Sequence, residues 1–134
     1  MFFCLAFLSF SKIEFMTPAQ FKEAKLSGYT VLLVDDSSKL LYPSHLDSFM
    51  QTSREVVVDG RYIVCDMYNM DENLADIGIE EFPSVWFFED DLKRGGIKTL
   101  INEENIINLV NENAISHVST ISSSEELDRK STRL

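Results

Sequence analysis

The sequence is poor in thiols. Among 134 residues only Cys4 and Cys65 are cysteine, and two such distant residues make neither a Cys-x-x-Cys pair nor a zinc site. Histidine is as scarce. His45 and His117 fit no H-x-x-x-H or H-x-x-E-H spacing, so neither a catalytic metal nor another cofactor is expected. Basic residues are few: 12 Lys and Arg stand against 22 Asp and Glu, for a net charge of −10. A chain this acidic does not condense on phosphate, which excludes nucleic acid and anionic membrane as partners. No D-x-D-x-D-G loop is present, so a specific calcium site is not expected either. Long apolar runs are absent after the first ten residues, and those are too few for a bilayer helix of about 20 residues. No integral membrane segment is expected in the mature chain. The whole chain is 45% hydrophobic and 25% charged, the composition of one soluble, folded domain.

The two ends read differently from the middle. MFFCLAFLSF at residues 1–10 has the length and apolarity of a secretory h-region. Ser9 and Ser11 supply the small residues for a cut before Lys12. Residues 1–11 are therefore read as a signal peptide, and the mature chain as bound for the endoplasmic reticulum lumen or secretion. The run has no Lys or Arg ahead of it, so a buried strand, or a start at Met16 and a cytoplasmic protein, competes with that reading. Residues 12–115 carry the folded domain. Residues 116–134 are Ser/Thr-rich, their acids and bases cancel, and they are read as a flexible tail. The tail ends Ser131-Thr132-Arg133-Leu134, similar to a PDZ-type ligand.

Strand and helix signals alternate between the ends. Residues 13–15 suit a short first strand. Thr17-Pro18-Ala19-Gln20 is a capping box with proline at the first helical position, opening a helix to Leu26 that Gly28 stops. Residues 29–34 (YTVLLV) are apolar on both faces, as a central strand requires. Asp35–Lys39 is a polar loop. Leu46, Phe49, Met50, Val56 and Val57 then recur at helical spacing, with Pro43 and Ser44 ahead, which favours a helix over a hairpin at Asp59-Gly60. Residues 61–66 form the next strand, and residues 72–77 a short helix closed by Gly78. Residues 85–88 (VWFF) make a strand, and Asp90-Asp91 turns into an edge strand over 95–100. Asn102 caps a last helix whose buried stripe is Ile106, Ile107, Leu109, Val110 and Ala114. The fold class is α/β, in the order β-α-β-α-β-α-β-β-α.

That order resembles the thioredoxin fold, a central mixed sheet flanked by helices. Three segments carry the likeness over about residues 13–114. Thr17-Pro18-Ala19-Gln20-Phe21 looks like the opening of a protein disulfide isomerase domain. Asp71–Ala75 followed by Gly78-Ile79-Glu80-Glu81-Phe82-Pro83-Ser84 is similar to that family's short helix and its Phe-Pro-Thr element. Trp86-Phe87-Phe88 before an acidic turn matches the next strand. The resemblance implies a cis Phe82-Pro83 bond forming one wall of a peptide groove, with Glu81, Leu41, Tyr42 and His45 beside it.

The likeness fails at its chemical centre. The family's redox reaction needs a thiolate at a helix N-terminus and a second thiol three residues on. Matching Pro43 to the family's helix proline puts Asp35 and Ser38 at those positions. Matching without a gap puts Leu40 and Pro43 there. Neither register offers sulfur, since no cysteine lies between Cys4 and Cys65. The family's buried acid has no match within residues 31–34, and Asp35 is the nearest. No catalytic residue is assigned, and Cys65, mid-strand, reads as an inert small hydrophobe.

Two functions follow from different classes. One is a redox-inactive, chaperone-like module that binds unfolded or extended polypeptide. The other is an acidic lumenal domain that binds calcium weakly, as the resemblance to calsequestrin units allows. A subunit whose partner supplies the cysteines is a third reading.

Overall fold

The computed structural model describes residues 13–56 and 59–126. The signal peptide expected at residues 1–11, Val57, and the last residues of the expected tail lie outside that range.

Strand β1 (Ile13–Met16) leads into helix α1 (Pro18–Glu23). The capping box is present in both directions: Thr17 Oγ1 accepts from the Gln20 N–H, and Gln20 Oε1 from the Thr17 N–H. Helix α1 ends at Glu23, ahead of the expected Leu26, with Ala24 already extended. Gly28 does not stop it. Gly28 has φ +72° and instead opens β2 (Tyr29–Asp35), tied to the Asp90 turn by two hydrogen bonds of 2.8 and 2.9 Å.

Helix α2 (Tyr42–Glu55) follows, the helix rather than the hairpin, with Val56 as its C-cap. Strand β3 (Gly60–Asp66) comes next. The helix expected at residues 72–77 is a single 3-10 turn (Ala75–Ile77), closed as expected by Gly78 at φ +82°. Leu74 and Ile79 bridge across it, drawing that segment out of a longer helix. Strands β4 (Ser84–Glu89) and β5 (Leu92–Ile97) form a hairpin. β5 begins and ends three residues earlier than expected. It is a largely exposed edge strand with Gly95 and Gly96 in it, so no apolar alternation marks its bounds. Asn102 Oδ1 accepts from the Asn105 N–H at 2.8 Å at the start of helix α3 (Glu103–Glu126). That helix continues past Ser116, where the apolar pattern ends.

The five strands lie in the order β1-β3-β2-β4-β5, parallel through β1, β3 and β2 and antiparallel from β2 onward. Strand alternation splits the core into two layers. Val31, Leu33, Val64, Val85 and Phe87 meet Phe49 of α2 and Ile106, Leu109 and Val110 of α3. Leu32, Val34, Ile63, Cys65 and Phe88 meet Phe21 of α1, Leu74 and Ile79 on the other face. Asp35 shares the first face, and so points toward α2.

Candidate functional site

The C-terminal end of β2 and the first turn of α2 enclose a strongly buried carboxylate–imidazole pair, Asp35 and His45. Asp35 was expected in a polar loop. It is the last residue of β2 and 1% exposed. Its carboxylate can only accept, so His45 Nδ1 carries the hydrogen and donates to Oδ2 at 2.7 Å, with the His45 side chain 11% exposed. Oδ1 accepts from the Asp36 N–H at 2.8 Å. A buried carboxylate is tolerated only when paired in this way. His45 Nε2 has no partner among the described residues.

Ser38 stands outside this arrangement. It caps the turn ahead of α2, giving its N–H and hydroxyl to Asp36 Oδ1 at 2.9 and 2.7 Å, and these bonds hold the Asp36 carboxyl below its ordinary range. Asp35 and Ser38 therefore both precede the helix. The N-cap of α2 is Leu41, and Ser44 lies three residues on, in its first turn. Leu40 and Pro43 flank these two positions. Leu40 is fully in solvent, and Pro43 occupies the proline-tolerant start of the helix.

Leu41, Ser44 and His45 face Pro83 across a cavity of about 370 Å³. The Phe82-Pro83 bond is cis. The far wall is the loop from β5 to α3: Lys98, Thr99, Leu100, Ile101 and Asn102. Glu81 lines a smaller neighbouring cleft with Gly78, Glu80, Trp86 and Lys98. Tyr42 is half-buried beside the cavity rather than in its wall, its phenol pushed up by burial and then by the charges of Asp66 and Asp35. So Pro83 and His45 line one cavity, Phe82 adjoins it in sequence, and Glu81 and Tyr42 lie outside its wall.

The rim is apolar. Leu40 is 92% exposed, Leu100 75%, and Leu41 and Phe82 are exposed too, with Lys39 Nζ 5.8 Å from the centre of the Phe82 ring. The Phe82 backbone N–H and C=O make no hydrogen bond to any described residue. Leu100 holds φ +54°, a left-handed conformation uncommon for a leucine, and its carbonyl accepts from Asn105 Nδ2 at 2.8 Å. Sequence reasoning passed over Ser44 as a site residue and the whole Lys98–Asn102 wall. A cap at Asn102 was legible; that its loop would close a cavity required the tertiary fold.

Cys65 is buried on the opposite face of the sheet, and burial, with Asp66 adding, pushes its thiol up to about 12. Among the described residues no three His, Cys, Asp or Glu side chains gather as a metal site, and no helix is long and apolar enough to cross a membrane.

Comparison with known proteins finds no matching family model and no matching curated protein. Solved structures do match. A designed protein superposes with TM-score 0.66 at 13% identity, covering 78% of this chain and 99% of its own. The Trx4 domain of ERdj5 gives 0.64 at 15% identity, covering 79% and 98%. Thioredoxin f from spinach chloroplast gives 0.56 at 12% identity, covering 84% and 88%. The chain has the thioredoxin-like fold: a mixed five-stranded sheet with flanking helices.

Proposed function

We propose that this chain is a redox-inactive domain of the protein disulfide isomerase type, and that it binds unfolded or extended polypeptide beside Phe82-Pro83. The observation that carries the reading is the cavity between the start of α2 and Pro83, lined by exposed Leu41 and Leu100, with exposed Leu40 and Phe82 next to its wall in sequence. Exposed large apolar side chains gathered at one end of a sheet mark an interaction surface. The unpaired Phe82 backbone offers a donor and an acceptor to an extended chain, the strand-addition mode of peptide binding.

The redox part of the reading rests on which side chains occupy the helix start. Leu41 and Ser44, at the N-cap and three residues on, stand where the resemblance calls for two thiols. A leucine and a serine cannot exchange disulfides. Cys65 does not substitute, being buried on the far face of the sheet with its thiol protonated. The apolar leader at residues 1–11 supports placing the domain in the secretory pathway.

The test uses fluorescence anisotropy of a labelled, reduced and unfolded peptide with the full chain. Saturable binding that Leu41→Asp weakens by about tenfold or more is expected, since burying a leucine side chain contributes about 2 kcal/mol. Insulin reduction should stay at the uncatalysed rate. Turnover that disappears in Cys65→Ser would contradict the redox part; absence of peptide binding would contradict the rest.

A further inference from the structure

The chain carries ten more acids than bases, yet the cavity wall reverses that balance. Its nine lining residues include Lys98 and His45 and no Asp or Glu. The Lys98 ammonium makes no ion pair with any described residue, although Glu80 and Glu81 share the adjoining cleft with it. His45 is held by Asp35 through Nδ1, which leaves Nε2 as its one free polar atom. The first turn of α2, which holds no acid, reaches this wall and adds positive potential, whereas Glu103 and Glu104 offset that of α3. Lys39 lies over Phe82 at the rim. Leu41, Pro83, Leu100 and Ile101 form the apolar part of the wall, beside the hydroxyls of Ser44 and Thr99.

We infer that the groove selects polypeptide segments in which an Asp or Glu side chain sits among large apolar residues, the carboxylate entering between Lys98 and His45. The inference rests on the peptide-binding reading above and names the segment class. A strand added along Phe82 presents alternate side chains to the cavity. The carboxylate therefore enters as a side chain, and its apolar neighbours cover Leu41, Leu100 and Phe82. Carboxylate oxygens accept from the Lys98 ammonium, and from His45 Nε2 when the ring carries its second proton. A segment with Lys or Arg at that position meets like charge and is rejected, which gives the site selectivity by repulsion.

The probe is a pair of short extended peptides, Leu and Phe flanking a central Glu or its isosteric Gln, both amidated at the C-terminus. Anisotropy titrations of the full chain at low salt should show the Glu peptide binding about tenfold more tightly, with the gap shrinking as salt screens it. Lys98→Gln removes an exposed, unpaired charge and should close most of the gap between the Glu and Gln peptides. Equal binding of the two peptides, or a gap that survives Lys98→Gln, overturns the inference and leaves peptide binding standing. A Gln peptide that gains the same advantage from a free C-terminus overturns the side-chain assignment. Failure of both peptides to bind overturns the peptide-binding reading itself.

Discussion

Asp35 and His45 are ten residues apart in sequence and joined at 2.7 Å, strand end to helix start. The bond fixes where α2 begins relative to β2, and so fixes the near wall of the groove. Breaking it from one side leaves a carboxylate that is 1% exposed without its ring partner. His45→Ala is expected to destabilise the chain by about 1–3 kcal/mol, the cost of leaving a buried acceptor without its donor. His45→Asn, whose amide N–H can reach the place of Nδ1, should recover part of that loss. Urea unfolding of the three proteins measures both values. Equal stability of His45→Ala and the parent would contradict the pairing.

Leu100 combines a left-handed backbone with a side chain 75% in solvent. The conformation costs about 1–2 kcal/mol for a residue with a Cβ and almost nothing for glycine. Leu100→Gly should therefore hold or raise stability, within about 1 kcal/mol, since glycine also frees the unfolded chain. The same change removes part of the groove's rim and should weaken peptide binding by about tenfold. Thermal melts and anisotropy titrations on one sample read the two effects, which should move in opposite directions.

Much of the fold was legible because its signals are local. The Thr17–Gln20 capping box, the doubly apolar run of β2 and the Asn102 cap each state their element within a few residues. The functional end was less legible because it is made by tertiary pairing. Asp35 beside Asp36-Ser37-Ser38 reads as loop, and only His45 across the gap makes its burial affordable. The same loop left two registers for the thiol positions, Asp35 and Ser38 or Leu40 and Pro43, because sequence matching ignores where the helix starts. The N-cap at Leu41 adds Leu41 and Ser44 as a third. The wall from Lys98 to Asn102 carries no motif at all.

Cys65 and Tyr62 set the alkaline limit of the domain. Burial pushes both groups up to about 12, from 9.0 for the thiol and 10.0 for the phenol, with Asp66 adding to the effect on Cys65. Both are acids whose neutral form the folded chain prefers. Between roughly pH 9 and 12 the unfolded chain gives up protons that the folded chain keeps, so stability falls as pH rises. The expected slope is about 1.4 kcal/mol per pH unit for each group. Tyr62→Phe should reduce it from pH 10 to 12, and Cys65→Ala over the whole span from 9 to 12. Urea midpoints across pH 8 to 12 test this. In the native state at pH 8 Cys65 should resist a thiol reagent until denaturant is added.

Thr30 is fully buried in β2, and its hydroxyl has no hydrogen-bond partner among the described residues. Thr30→Val keeps the shape and removes a buried polar group that gains nothing from the fold. It should stabilise the chain by about 1 kcal/mol. A loss of similar size would mean that the hydroxyl has a partner in solution.

The proposed site for extended polypeptide lies where α2 faces Phe82-Pro83. Amide NMR of the isotopically labelled chain, titrated with an unfolded peptide, tests it most directly. Shifts gathered on residues 40–45, 79–85 and 98–102, with β1 and α1 unmoved, are the predicted result. Shifts absent at saturating peptide, or confined to other surfaces, would contradict it.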